Sequence, residues 1–381
     1  MEDSALSPLP EPPAPTMRPM ALAAICGVLG LGFFLTLGFA TQILNAAFGI
    51  WFTEIFIFLA VPWVALRAGH YEPLGYTGVQ FPRLAPMGLG FGLGVANFFA
   101  LVVPIQYAAQ SAAPQWLRDM FDGSQIFEGQ NSLELALMLA GVSVAAPVCE
   151  EFFFRGVFQK SLLASSLSKP AAVVITAVVF SAFHLDPVGF LARVELGVLF
   201  GVLRLYTGSL WPGILAHSAN NVVSSLLFLL SRQTGPESVD ESPPLKIVLL
   251  LMLGGMVAMG ILLGLARMFP ALWGPRQEPP TLSRPAPSLV RLLAPWVLGA
   301  TLSVGALVLV DARGIRLSWI DLRHHLSKLP KDAPEARQKE RERLLQLRQE
   351  ARSGEAPVDA YEEERVRQAQ EPSSEQAPEK H

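Results

Sequence analysis

The chain has 381 residues, of which 51% are hydrophobic and 16% are charged. A soluble domain typically carries about a quarter charged residues. Of the 61 charges here, 28 lie in the last 70 residues, from Ala312 onward. The preceding part is too poor in charge for a disordered protein, a conventional soluble enzyme or a nucleic-acid binder with a basic face. It indicates an integral membrane protein with a charged tail, in contact with lipid and not with nucleic acid.

The N-terminal third contains three apolar stretches long enough to cross a bilayer. The Pro-rich residues 1–19 are predicted to be disordered, and an acidic start followed by a long apolar run favours a retained first span over a cleaved signal peptide. Glycines spaced two apart in the third span predict close helix contact, and a short interfacial helix follows it. This membrane segment, 20–130, comprises spans at 20–44, 48–66 and 86–109 and the interfacial helix at 115–121.

Further apolar stretches predict an all-α fold, a polytopic transmembrane helix bundle of eight or nine spans. The charged tail, 312–381, has opposite charges at helical spacing, such as Glu335 and Lys339, and is predicted to be helical and then disordered. The remaining spans fall into a core at 131–231 and a C-terminal membrane segment at 232–311, with stretches at 132–166, 170–185, 188–206, 210–231, 245–268 and 289–310.

Lysine and arginine are distributed unequally between the two sides of a nine-span arrangement. The loops on the N-terminal side hold 11 basic residues, and the loops on the other side hold Arg118, Arg232 and Lys246. Because basic loops stay in the cytoplasm, the N-terminus is expected to be cytoplasmic. An Ala, Leu, Pro and Arg-rich composition is compatible with the inner membrane of a bacterium.

Ionisable groups within a span are costly and are candidates for function. The densest cluster is Glu150, Glu151 and Arg155, beside three phenylalanines. Glu151 and Arg155 lie four residues apart and can form an ion pair across one helical turn. Glu150 is rotated by about 100° and has no such partner, which suits a general base.

Three further polar residues follow in later spans. His184 ends one span, and His217 and Asn221 share a face of another because they are four residues apart. If the spans around residues 167–169 form an antiparallel hairpin, Glu150 and His184 lie at the same depth, each 17 residues from Leu167. Glu150 with His184 could take a proton from water, and His217 with Asn221 could donate hydrogen bonds to the oxyanion of a peptide carbonyl.

The patterns Glu150-Glu151-x-x-x-Arg155, Phe180-x-x-x-His184 and His217-x-x-x-Asn221 resemble the three motifs of the glutamic-type intramembrane proteases, which include the CAAX prenyl proteases and the bacteriocin-processing (Abi/CPBP) enzymes. The resemblance covers roughly residues 131–231. It implies that Glu150 is the catalytic carboxylate, His184 its partner, and His217 with Asn221 the oxyanion-stabilising pair. Glu151 and Arg155 would then support the site.

The role of a metal is left open by the sequence. Glu150, His184 and His217 are an acceptable zinc set, since two histidines and one glutamate form a known catalytic pattern. There is no HExxH motif in the chain. A metal-independent glutamic protease without a cofactor is the favoured reading, with a zinc metalloprotease as its alternative.

Other polar residues of the spans are assigned structural roles. Cys149 adjoins Glu150 but is expected to be an inert buried thiol, and Asn220 lies off the face of His217. The other polar residues within the spans are interpreted as isolated, although Glu195 could reach the site formed by Glu150 and the two histidines. They are Glu54, Asn97, Arg193 and Glu195.

Two functions of different classes fit the sequence. The first is an intramembrane endopeptidase that processes C-terminal or leader segments of membrane-associated or exported proteins, and whose substrate carries a hydrophobic or lipidated segment. The second is a non-enzymatic membrane scaffold or transporter subunit that keeps the polar cluster as a packing device.

Overall fold

The computed structural model describes residues 15–79, 84–121, 131–233, 243–273, 283–324 and 335–370. The fold is all-α, and no β-strand occurs in these ranges. Residues 1–14 and 371–381, for which disorder is predicted, lie outside them. Within the described ranges, the membrane part has nine main helices: α1 (Pro19–Leu44), α2 (Ala46–Ala68), α3 (Leu84–Ala112), α4 (Ser132–Leu163), α5 (Lys169–Phe183), α6 (Phe190–Thr207), α7 (Trp211–Gln233), α8 (Leu245–Met268) and α9 (Leu289–Val310).

Seven of these helices are long and apolar enough to cross a membrane, so the polytopic bundle is confirmed. The other two depart from a simple span in different ways. Helix α5 has 15 residues, fewer than the roughly 20 that a span needs. Helix α6 has 18 residues but carries Arg193, Glu195 and Arg204. The predicted interfacial helix is present at Gln115–Met120.

Local sequence signals set the ends of the helices that hold the polar residues. Asn131 caps α4 by accepting a hydrogen bond from the Glu134 amide at 2.9 Å, and Glu134 Oε2 accepts one from the Asn131 amide at 3.2 Å. Ser168 caps α5, which begins after a short turn from α4. Gly208, with a φ of 69°, ends α6 in the left-handed conformation and lets the chain turn into α7.

Three π-helical segments lie near the acidic residues. One of them begins at Glu54 in α2, Glu54–Leu59. The other two lie in α4, at Gly141–Ala145 and Phe152–Gln159, on either side of Glu150. Such widened turns are rare overall and frequent at functional sites, although Phe34–Gly38 and Phe98–Val102 are π-helical as well. The three segments near the acidic residues mark the level of the bundle at which function is to be sought.

Glycines of α3 let α7 approach closely, as the sequence predicts. A Cβ atom on Gly90 would lie 2.2 Å from the carbonyl oxygen of Pro212, and one on Gly94 would lie 2.3 Å from that of Ala216. Gly88 has open space around its Cβ position. The contact therefore depends on alternate glycines and fixes α7, which carries His217, against α3.

Aromatic side chains join α2, α4 and α5 in one buried core. The ring of Phe154 lies 5.8 Å from that of Phe58 and 5.3 Å from that of Phe180. Phe153 packs against Phe58 at 5.5 Å and against Phe183 at 5.9 Å. These contacts set the relative depths of the three helices.

The tail folds into three helices, α10 (Ala312–Arg323), α11 (Glu335–Ser353) and α12 (Val358–Gln370). The predicted helix corresponds to α11, whereas α10 and α12 were not predicted. The three helices share a small core of Leu317, Ile320, Leu344, Ala351 and Tyr361.

Polar contacts close this tail core and fix it to the membrane helices. The Tyr361 hydroxyl donates to Asp321 at 2.6 Å. Burial raises the pKa of Tyr361, and the Asp321 carboxylate raises it further, so the hydroxyl keeps the hydrogen that it donates. Arg352 donates to Glu134 at 3.0 Å and to Asp311 at 2.6 Å. The tail is therefore tied directly to the first turn of α4.

We expect Gly94→Ala to destabilise the protein by about 1–3 kcal/mol, because the added methyl group overlaps the α7 backbone. Gly88→Ala is the matched control, since it adds the same group to the same helix in open space. Thermal unfolding in detergent measures both variants. Equal melting temperatures for the two variants would contradict the proposed contact.

Arg352→Ala is expected to release the tail helices, because it removes the ion pairs to Glu134 and Asp311 together. Limited digestion with a glutamate-specific protease measures the release as faster cleavage within residues 335–370. Arg343→Ala is the control, since Arg343 is exposed on the same helix. Unchanged cleavage of the Arg352 variant would show that the tail docks by other contacts.

Candidate active site

The centre of the site is a buried ion pair on α4. Arg155 is fully buried and Glu151 is 1% exposed. Nη1 of Arg155 donates to Oε1 of Glu151 at 2.7 Å, and Nη2 donates to the Gly197 carbonyl at 3.0 Å. The guanidinium lies over the rings of Phe180, at 4.5 Å, and Phe200, at 5.1 Å. The predicted pair is therefore present, and the Gly197 carbonyl and the two aromatic rings further stabilise the guanidinium charge.

Gln159 extends this connection by one turn. Its Nε2 donates to the Gly201 carbonyl at 3.1 Å. Arg155 and Gln159 thus donate to two backbone carbonyls of α6 that are four residues apart. Both carbonyls belong to glycines, which leave room for the two side chains. Sequence reasoning missed Gln159, although its spacing of four from Arg155 was the available signal.

His217 connects the two adjacent glutamates. Its Nδ1 lies 3.2 Å from Oε1 of Glu151, and its Nε2 lies 3.9 Å from Oε2 of Glu150. The ring stacks on Phe200 at a centroid distance of 4.8 Å. A carboxylate only accepts hydrogen bonds, so Nδ1 carries the hydrogen in this contact. The imidazole is fixed with Nε2 toward Glu150.

Glu150 differs from Glu151 in its bonding. Both are buried, at 8% and 1% exposure. Glu151 accepts from Arg155 and contacts His217 through Oε1 alone. Oε2 of each glutamate has no hydrogen-bond partner among the described residues, and the one ionic contact that Glu150 makes with them is to His217 at 3.9 Å. A buried carboxyl oxygen without a partner is costly in a structural role and available to a ligand.

His184 lies at the depth predicted for it but not in direct contact with Glu150. The rings of Phe154 and Phe180 touch, and Glu150 and His184 lie one turn beyond them on α4 and α5. Nδ1 of His184 lies 3.0 Å from the Phe180 carbonyl and must donate to it, leaving Nε2 as an acceptor. No hydrogen bond joins Glu150 and His184 in the described part of the chain.

The turn after His184 is held by a second ion pair. Leu185 has a φ of 54°, an uncommon conformation for a branched residue. Asp186 accepts from the amides of Val188 at 2.9 Å and Gly189 at 3.1 Å, and it forms a salt bridge with Arg193 of α6. Arg193 was expected to be isolated; that prediction is wrong, because it braces the turn that carries His184.

The amide of Asn221 is oriented by its neighbours. Its Nδ2 donates to the Val142 carbonyl at 2.8 Å, within a π-helical segment of α4. Its Oδ1 accepts from Asn220 at 3.1 Å. Asn220, which was placed outside the site, therefore orients Asn221. Their adjacency in sequence was the signal for this role.

Two other residues taken as isolated are bonded to each other. Nδ2 of Asn97 in α3 donates to Oε2 of Glu195 in α6 at 2.8 Å. Glu195 thus ties two helices and has a partner of its own. Cys149 is buried and free, in agreement with an inert thiol.

The residues do not fit a bound metal ion. Among the described residues, no group of three or more histidine, cysteine, aspartate or glutamate side chains could hold one. The ring of Phe180 packs against both imidazoles, 5.0 Å from His184 and 5.8 Å from His217. The zinc set of Glu150, His184 and His217 is not gathered around one point.

Comparison with known proteins agrees with the motifs. Residues 132–223 match the family described as type II CAAX prenyl endopeptidase Rce1-like. This segment runs from the start of α4 into α7 and includes all six predicted site residues. In this segment the chain is similar to the CAAX-type endopeptidases. No curated protein and no solved structure gives a significant match.

Arg155→Ala is expected to lower the free energy of unfolding by about 3–5 kcal/mol, because it leaves Glu151 buried without its cation. Thermal or denaturant unfolding in detergent measures the loss. Arg18→Ala is the control, since Arg18 is exposed at the start of α1. A loss as small as that of the control would mean that the pair is not desolvated.

Proposed function

We propose that the protein cleaves a peptide bond within or close to the bilayer, with a water molecule activated by Glu150. The observation that carries this proposal is that Arg155 pairs with Glu151, whereas no arginine or lysine of the described residues pairs with Glu150. Oε1 of Glu151 is engaged with Arg155 and His217, and Oε2 of Glu150 is buried without a hydrogen-bond partner among the described residues. The match to the CAAX-type endopeptidases supports a protein substrate in the membrane.

The first step is attack by water on the scissile carbonyl carbon. Glu150 takes one proton from water as the new C–O bond forms, and the carbonyl electron pair moves to its oxygen. His184, level with Glu150, presents the acceptor Nε2 toward the same space and acts as its partner. In the second step the proton on Glu150 passes to the leaving nitrogen as the C–N bond breaks.

His217 and Asn221 are proposed to stabilise the oxyanion of the intermediate. Asn221 uses one amide hydrogen for Val142, and its second hydrogen remains for the substrate. His217 is held by Glu151 through Nδ1 and presents Nε2 to the reacting atoms. A proton on that Nε2 would supply the second hydrogen bond to the oxyanion. Glu151 and Arg155 position His217.

The substrate is proposed to carry a hydrophobic or lipidated segment beside the cleaved bond. Prenylated C-termini, leader segments and C-terminal sorting tails all have this chemistry. We propose the inner membrane of a bacterium as the location, with the N-terminus in the cytoplasm, on the basis of composition and of the basic loops.

Glu150→Gln is expected to lower cleavage by about 10²–10⁴-fold, because the amide cannot accept a proton from water. The substrate is a quenched fluorescent peptide that ends in a farnesylated cysteine and three further residues. Glu195→Gln is the matched control, since its carboxyl group has the partner Asn97. Full activity of a folded Glu150→Gln protein would exclude the mechanism.

Exhaustive chelation is expected to leave the cleavage rate unchanged, because no described side chains gather to hold a metal ion. The same peptide assay, before and after chelation, measures this. Loss of activity that zinc restores would replace the glutamic mechanism by a zinc-dependent one.

The biological substrate is best sought among proteins that accumulate uncleaved. Membrane proteomes of cells with and without the protein identify such precursors by their unprocessed termini. A scaffold or transporter subunit predicts no precursor at all, and would instead change the assembly of other membrane proteins.

A further inference from the structure

Glu54 is a buried acid that lies outside the segment matched by the family. It belongs to α2, is 5% exposed and begins a π-helical segment. Its Oε2 has no hydrogen-bond partner among the described residues. A carboxyl oxygen buried without a hydrogen bond costs free energy in a membrane bundle, which makes Glu54 a candidate for a functional role.

Helices α2 and α4 run in the same direction and pack against each other. Asn45 Nδ2 lies 3.4 Å from Glu134 Oε1, Trp51 Nε1 donates to the Leu137 carbonyl at 3.0 Å, and further along Phe58 packs on Phe154. One turn before that last pair stand Glu54 on α2 and Glu150 on α4. The segments Glu54–Leu59 and Ala146–Glu151 pack against each other, which places the two carboxyl groups at one level of neighbouring helices.

Two buried carboxyl groups at one level need hydrogen donors between them. Oε2 of Glu54 and Oε2 of Glu150 both lack a hydrogen-bond partner among the described residues. The donors on the Glu150 side are engaged elsewhere, because His217 contacts Oε1 of Glu151 and Arg155 donates to Glu151 and to Gly197. One water molecule has two hydrogens, and a polar buried gap with two acceptors is where a water binds.

We infer that Glu54 is a further catalytic residue, which holds the attacking water against Glu150. This inference rests on the proposed function. One hydrogen of the water points to Glu150, which takes it as the C–O bond forms. The other hydrogen remains bound to the water oxygen and is donated as a hydrogen bond to Glu54. The oxygen lone pair is therefore directed away from both acids and toward the scissile carbonyl carbon.

Glu54→Leu separates this role from a structural one. Replacing an unpartnered buried carboxyl group by an apolar side chain is expected to leave the melting temperature unchanged or raise it. The same change is expected to lower kcat on the farnesylated reporter peptide by on the order of a hundredfold. KM is expected to stay within about twofold, because the ground-state contacts of the peptide are kept. Glu54→Gln keeps an acceptor oxygen and is expected to give an intermediate kcat.

Glu195→Leu and Glu195→Gln are the matched controls on α6. Glu195 bonds Asn97, so its loss is expected to lower the melting temperature without a selective fall in kcat. A lower melting temperature or failure to fold for Glu54→Leu would overturn the inference, and so would a wild-type kcat.

The melting temperature is measured without any substrate, so this arm stands apart from the proposed function. If Glu150→Gln keeps full activity, the proposed function fails. If Glu150→Gln is inactive and Glu54→Leu has wild-type kcat, only the role of Glu54 fails.

Discussion

The ion pair between Glu151 and Arg155 is the constraint on which the site depends. A single charge of either sign would be very costly in the interior of this bundle, and the two are tolerated because each is neutralised and hydrogen-bonded. Arg155 also reaches α6 through the Gly197 carbonyl, and Glu151 reaches α7 through His217. One pair therefore aligns three helices, and the imidazole of His217 takes its orientation from it.

Much of this arrangement could be predicted from the sequence. Apolar runs gave the helices, and a spacing of four gave the Glu151–Arg155 pair and the shared face of His217 and Asn221. The hairpin argument placed His184 at the depth of Glu150, and the contact of Phe154 with Phe180 agrees with it. These features depend on neighbours along one helix or across one turn, which sequence records directly.

Contacts between distant helices were not predictable in the same way. Asn97 and Glu195 appeared isolated because their partnership needs the packing of α3 on α6. Glu54 and Glu150 lie at one level only because α2 packs on α4 there. The tail helices α10 and α12 were missed because their apolar residues are few and become meaningful only as one shared core.

The shortness of α5 has a consequence for access to the site. Fifteen residues rise about 22 Å, against a hydrocarbon thickness of about 30 Å. The helix stops inside the membrane at His184, and the turn at residues 184–189 continues there as irregular backbone. Such backbone is tolerated at that depth only where protein buries it or water fills the space beside it, and His184 and Leu185 are exposed. This side of the bundle is therefore open beside His184. Under the proposed function, it is the side from which water and a peptide can reach this histidine.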